Sequence, residues 1–215
     1  LVTSCTPESF RAYCVQAFAE MRSAGITTVG EFRYLHHDAR QDFLFDKVVL
    51  EAAAEVGIRI VLLHACYIHG GFDTPLSSKQ HRFATPDLNV WWNQVDALTD
   101  QVDGDMQKIG TVAHSVRAVD INAIRQIAAG ALHRGMPMHI HVEEQRQEIV
   151  SCIDKHHLTP MALLLDEIEV SPLVTAVHCT HTTCKDLDVW ISKGGNLCLC
   201  PLTEANLADG VPDMP

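Results

Sequence analysis

Positive charge is scarce in this chain. Sixteen Lys and Arg stand against 27 Asp and Glu, for a formal net charge of −11 over 215 residues. A nucleic-acid surface needs clustered Lys and Arg, so this charge balance disfavours that class of partner. An anionic small molecule held by one arginine is not. Long apolar runs are also missing: none approaches the roughly 20 residues of a membrane span, and no basic segment followed by an apolar run marks a signal peptide. No pair of cysteines is spaced CxxC, and no Gly-rich phosphate loop follows any expected strand. The eight cysteines lie in apolar runs (Cys198, Cys200) or helical patterns (Cys14, Cys152). They read as reduced and mostly buried, in a cytoplasmic protein.

Histidine is abundant, with 13 residues. The informative stretch runs from Met138 to Gln145, Met-His-Ile-His-Val-Glu-Glu-Gln. It follows a Gly-Met-Pro turn and alternates with period two, which predicts a strand running out into a loop. His139, His141 and Glu143 would share one face, with Glu144 where the strand ends. A histidine followed closely by a carboxylate suits metal-assisted hydrolysis, because imidazole holds a metal and the carboxylate moves protons. Taken alone, the stretch equally describes a core strand with a satisfied histidine and a solvated acidic turn.

The remaining pattern alternates strands and helices. Helices are expected at 7–24 (N-cap Thr6, closed by Gly25), 46–56 (closed by Gly57), 89–102, 121–133 (capped by Asp120), 147–155, 160–165 and 186–192. Strands are expected at 26–32, 59–63, 109–113, 138–145, 173–177 and 196–199. A loop reaching to about Pro86 is long enough to suggest a lid or substrate loop. Such alternation argues for a parallel sheet with right-handed crossovers, either doubly wound or a (β/α) barrel. The missing phosphate loop weakens the doubly wound choice. The histidines favour the barrel: His36, His37, His64, His69, His114, His139, His141, His178 and His181 lie at or just past expected strand ends. That rim is where barrel enzymes build their sites.

Five phrases arrive in the order found in one family. They are Gly30-Glu-Phe-Arg-Tyr-Leu-His-His37, His114-Ser-Val-Arg-Ala118, His139-Ile-His-Val-Glu-Glu-Gln145, Val177-His-Cys-Thr-His181 and Cys200-Pro-Leu-Thr-Glu-Ala-Asn-Leu207. With them the chain resembles the amidohydrolase superfamily, and within it the formimidoylglutamate deiminases of histidine degradation. The resemblance implies a metal-dependent hydrolase on a (β/α)8 TIM barrel, here an incomplete barrel of about six β/α units corresponding to strands 2–7. Residues 1–215 would form one partial barrel domain. By the same resemblance His141 is a metal ligand, Glu144 the general acid/base and His178 a catalytic histidine beside the metal. Arg117 and His114 face the substrate, with Tyr34 a weaker match of that kind. The metal would be divalent, Zn2+ or Fe2+. The substrate would be N-formimino-L-glutamate, a dicarboxylate that Arg117 would read, and neither nucleic acid nor membrane would be a partner; a homodimer is compatible.

The family also uses a His-x-His from the first strand and an Asp from the eighth, and neither is in this sequence. The chain begins without Met and ends in the Pro-rich Val211–Pro215, so neither end reads as a natural terminus. Two other readings stay open: a guanine-type or other amidine deaminase of the superfamily, and a non-catalytic fragment. The other rim histidines are expected to hydrogen-bond loops, and Trp91 and Trp92 to pack within their helix. No cysteine nucleophile is expected.

Overall fold

The structure is a computed structural model that describes residues 5–38 and 42–213. Of the Pro-rich end, 214 and 215 lie outside the described residues. The elements are α1 (Pro7–Ser23), β1 (Thr28–Arg33), α2 (Leu44–Val56), β2 (Arg59–Cys66), α3 (Leu88–Thr99), β3 (Gln107–Ser115), α4 (Ile121–Arg134), β4 (Met138–Val142), α5 (Arg146–His156), α6 (Pro160–Glu167), β5 (Val174–His178), α7 (Cys184–Ser192), β6 (Asn196–Cys198) and α8 (Pro201–Leu207). The strands are hydrogen-bonded in chain order, β1 to β6. Pairs β1–β2, β4–β5 and β5–β6 run parallel, with His141 opposite Val177 and Val142 opposite His178. Six consecutive β/α units of the barrel type is therefore the observed fold class, as the alternation predicted.

The chain divides into two compact units. The first comprises Leu1–Ile68 with Leu76–Thr111, and the second His69–Pro75 with Val112–Pro215. In the first, Phe45, Val49, Ile60, Leu62, Trp91 and Leu98 are fully buried. Trp91 packs edge-on against Trp92, as expected for a helix-packing pair. A polar network runs through this apolar core. Asp46 lies between His36 Nδ1 at 2.9 Å and His64 Nε2 at 3.0 Å, with Arg33 Nε at 3.5 Å. His36 Nε2 meets Ala65 O, His37 Nε2 meets Ala84 O, and His37 Nδ1 accepts the Phe43 N–H. His37 thus bonds loop backbone as expected of a rim histidine, whereas His36 bonds a helix and a strand, through Asp46 of α2 and Ala65 of β2. The attraction of two histidines holds the Asp46 carboxyl far below the usual carboxylate range, against the opposing effect of its burial.

In the second unit Val112, Ile124, Ile127, Met138, Ile140 and Trp190 form the core. Asp120 caps α4 by accepting the Ala123 N–H, and Gly135 ends it in the left-handed conformation. Both were legible in the sequence. The segment around Gly70 is no loose lid: His69 N–H donates to Ala118 O, Gly70 N–H to Thr74 O, and Lys155 pairs with Asp73. The Ser78–Phe83 segment forms a 3-10 helix in the first unit, where Arg82 binds His37 O and Cys5 O.

Three expectations need correction. α8 was not among the expected helices; Pro at its first turn and the Cys200–Glu204 backbone bond make it one. Glu143 does not continue the face of His139 and His141. Its φ of 51° turns it out of the strand, and its buried carboxylate accepts the Met161 N–H at 2.9 Å, at the start of α6. An acidic group there meets the unsatisfied N–H groups of a helix N-terminus. The cysteines are all free, but only Cys66, Cys152 and Cys179 are buried. Among the described residues no helix is long and apolar enough to cross a membrane.

Candidate active site

The site is assembled in the second unit from the C-terminal ends of β3, β4 and β5. In β4, Met138, Ile140 and Val142 point into the core, leaving His139 and His141 on the other face. The His141 ring centroid lies 4.8 Å from that of His114 and 5.1 Å from that of His178. Three imidazoles from three strand ends thus stand side by side. Burial, reinforced by the neighbouring histidines and Arg117, holds His141 well below the ordinary histidine range. Burial followed by Arg117 and His178 lowers His114 to about 3. Both rings are therefore neutral at physiological pH, and His114 Nδ1 lies 3.1 Å from Ser115 Oγ.

Glu144 follows immediately. One carboxylate oxygen lies 3.6 Å from Arg117 Nη2 and the other 3.5 Å from His178 Nε2. Its side chain is 11% exposed and Arg117's is 29% exposed, so both reach solvent while mostly enclosed. Arg117 stands where the turn after β3 closes, with Ala118 and Val119 N–H groups donating to Ser115 O. β5 ends abruptly. His178 has φ 74° and Cys179 φ 54°, left-handed conformations that cost a non-glycine residue about 1–3 kcal/mol. The turn is fixed by Cys179 N–H donating to Val142 O and His181 N–H to Glu143 O.

Glu204 escaped the sequence reading. Its carboxylate is 2% exposed and lies 2.9 Å from His178 Nδ1, while the Cys200 N–H donates to the same oxygen at 3.2 Å. Its mark in the sequence was its place in the Cys200–Leu207 phrase, four residues past Cys200, to which no role was attached. Glu148 also escaped. It is 3% exposed with no hydrogen-bond partner on either oxygen. Burial, with the Glu143 and Glu144 charges adding and Arg117 opposing, pushes it up to about 7. Nothing in an acid-rich stretch of sequence announces that one member is buried.

The structure thus brings His114, Arg117, His141, Glu144 and His178 together in one unit. Tyr34 belongs to the other unit, half-exposed, with its ring edge-on to Phe83 at 4.9 Å. Burial pushes the thiols of Cys179 and Cys200 up to about 12, so neither is poised as a nucleophile.

Neutral imidazole is the form that ligates a divalent metal, so His141 fits such a role. Among the described residues, donor groups of three or more within 4.8 Å are His36–Asp46–His64 and His178–Cys200–Glu204. His141 belongs to neither. In the His178 group, Glu204 Oε1 takes His178 Nδ1 and the Cys200 N–H, while the Cys200 thiol turns to Cys198 O.

Comparison with known proteins places this geometry. The sequence profile described as "Amidohydrolase family" matches residues 1–215. Formimidoylglutamate deiminase of Pseudomonas aeruginosa is 31% identical over 217 residues, covering 98% of this chain and 48% of the relative. A 5-methylthioadenosine/S-adenosylhomocysteine deaminase of Haloquadratum walsbyi is 24% identical, covering 98% of this chain and 43% of that protein. An amidohydrolase from Brucella melitensis superposes with a TM-score of 0.90 at 31% identity, covering 99% of this chain and 48% of that one. An adenosine deaminase from Xanthomonas campestris with bound zinc, 22% identical with a TM-score of 0.79 over 97% of this chain and 43% of its own, shares the fold. The chain spans about half the length of the curated relatives it matches. With a family profile matched from end to end and six β/α units in chain order, this chain belongs to the amidohydrolase family.

Proposed function

We propose that the protein of which this chain is part is a metal-dependent hydrolase that converts N-formimino-L-glutamate and water to N-formyl-L-glutamate and ammonia. The observation that carries this reading is Glu144, held at the end of β4 with Arg117 on one carboxylate oxygen and His178 on the other. The likeness to the Pseudomonas aeruginosa deiminase supports the substrate.

His141 would hold a divalent metal, zinc or iron(II), with ligands from outside this chain. When bound, that metal supplies the Lewis acidity that makes water a nucleophile at neutral pH. The chain's own residues do the rest. Glu144 takes the proton released as a C–O bond forms at the formimino carbon. It returns that proton to the imine nitrogen, and then carries the remaining hydroxyl proton of the tetrahedral adduct to the same nitrogen as the C–N bond breaks, the formyl C=O forms and ammonia leaves. A carboxylate can serve both steps only within hydrogen-bond reach of both atoms, and an active site can tighten to that distance when substrate binds. His178 presents Nε2 to the same place. Arg117 binds a substrate carboxylate through its planar fork, where lysine would offer only a point charge. His114, kept neutral, offers a hydrogen bond without adding charge.

A second reading, an amidine deaminase acting on a nucleobase or nucleoside, is favoured by the methylthioadenosine deaminase relative. Arg117 argues for the acidic substrate. Ammonia release from the metal-loaded protein decides between them. Turnover of formiminoglutamate but not guanine or methylthioadenosine is expected, and the opposite order would overturn the assignment. No turnover of any of them would leave the non-catalytic reading.

A further inference from the structure

An imidazole acts through one nitrogen at a time, and the group bonded to the other nitrogen selects which. At His178 that group is Glu204. The pair is enclosed, with side chains 6% and 2% exposed, and Nδ1 lies 2.9 Å from Oε1. The same oxygen takes the Cys200 N–H, which ties the carboxylate to the first turn of α8. A carboxylate only accepts hydrogen bonds, so His178 Nδ1 must carry the proton and donate it. Nε2 lies 3.5 Å from Glu144 Oε1, beyond the usual N–H···O distance, and is therefore the nitrogen left to take a proton. Glu204, His178 and Glu144 form one line of carboxylate, imidazole and carboxylate. Its middle member sits on a residue forced into the left-handed conformation. Strain at a buried, doubly partnered histidine is a mark of function more often than of packing.

We propose that Glu204 is a positioning residue for His178: its carboxylate fixes the Nδ1–H tautomer, so that Nε2 is the nitrogen presented to Glu144 and the substrate. The catalytic half of this inference rests on the proposed deimination, whereas the tautomer stands on geometry alone. The consequence for proton movement is direct. Of the two protons that must reach the departing nitrogen, Glu144 delivers one directly, and the other can pass from Glu144 to the Nε2 lone pair and from there to that nitrogen. In between, the imidazolium lies between two carboxylates that balance its charge. With Nε2 protonated instead, the lone pair would point at Glu204 and that route would be closed.

The experiment is long-range 15N–1H correlation on histidine-labelled full-length protein, wild type and variants, beside steady-state kinetics of ammonia release. The wild-type His178 ring is expected in the Nδ1–H form. Glu204→Met removes the acceptor while keeping an apolar fill, and should move the ring toward the Nε2–H form. It should lower kcat about 10- to 100-fold with KM within about two-fold. Glu204→Asp should restore the wild-type tautomer and part of kcat. Should the Met variant not fold, Glu204→Leu, which likewise offers no acceptor, supplies the same readouts. A wild-type ring in the Nε2–H form overturns the proposal. So does a folded Met or Leu variant with both tautomer and kcat unchanged. A wild-type protein inactive on formiminoglutamate would overturn the proposed function, and the wild-type tautomer would still decide this inference.

Discussion

Glu144 and Glu148 lie four residues apart and are both buried, yet only one has partners. Glu144 has a guanidinium at 3.6 Å and an imidazole at 3.5 Å, the second a group with which it can exchange a proton. Glu144→Gln should lower kcat by about 10²- to 10⁴-fold with substrate binding kept, because general acid–base catalysis is worth that much. Arg117→Met should instead raise KM, by about 10- to 100-fold, as expected for one charge-assisted bond. Wild-type kinetics from both variants would remove the assignment of roles. Glu148 has no hydrogen-bond partner, and burial lifts it from 4.5 to about 7. A carboxyl raised on folding takes up a proton between those values. Its contribution is full below about pH 4.5 and is lost as pH rises through 7. The loss is on the order of 3 kcal/mol. Urea unfolding at pH 5 and pH 8 should show Glu148→Gln flattening this decline and exceeding the parent at pH 8. A parallel decline in the variant would refute it. Glu144 was visible in the sequence because it follows His141 at a strand end; Glu148 and Glu204 were not, because burial and a partner 26 residues away leave no local mark.

Elements announced themselves where the signal is local. Thr6 accepts the Ser9 N–H at the start of α1, Asp120 caps α4, and Gly57 and Gly135 adopt the left-handed conformation that ends α2 and α4. Asp120→Ala should cost about 1 kcal/mol in urea unfolding. Helix α2 begins at Leu44, two residues before the expected Asp46, with Phe43 at its N-cap making no side-chain bond. No propensity rule predicts phenylalanine there. Its backbone N–H is taken by His37, a tertiary contact. A Cβ at Gly195 would fall inside the Trp190 indole, whose Nε1–H donates to Asn196 O at 3.0 Å. Gly195→Ala should therefore destabilise by about 1–3 kcal/mol, the range of overpacking, read as a fall in Tm. An unchanged Tm would mean that the indole has room to move. α8 was missed because its seven residues are too short for periodicity, and its buried face is one side chain, Glu204.

For the molecule as a whole, the first unit carries its own test. Asp46→Asn breaks a buried charged network and should cost about 3–5 kcal/mol. It should also remove acid sensitivity. A carboxyl held far below its usual range contributes stability above the unfolded value of about 3.9, and loses it as pH falls further. Chelation of the metal-loaded full-length protein should abolish ammonia release and lower Tm, with zinc restoring both, since a ligand bound only by the folded state stabilises it. By itself the sequence determined the α/β class, the chain order of strands and helices, most caps, and the clustering of histidines at strand ends. These follow from periodicity, capping chemistry and short motifs, which act over a few residues. Only the tertiary structure decided that Glu143 serves α6 rather than the site, that Glu148 is buried without a partner, and that His178 is held between Glu144 and Glu204. Each depends on which strand lies beside which and on what is shut away from water, and neither is written in any short stretch of the chain.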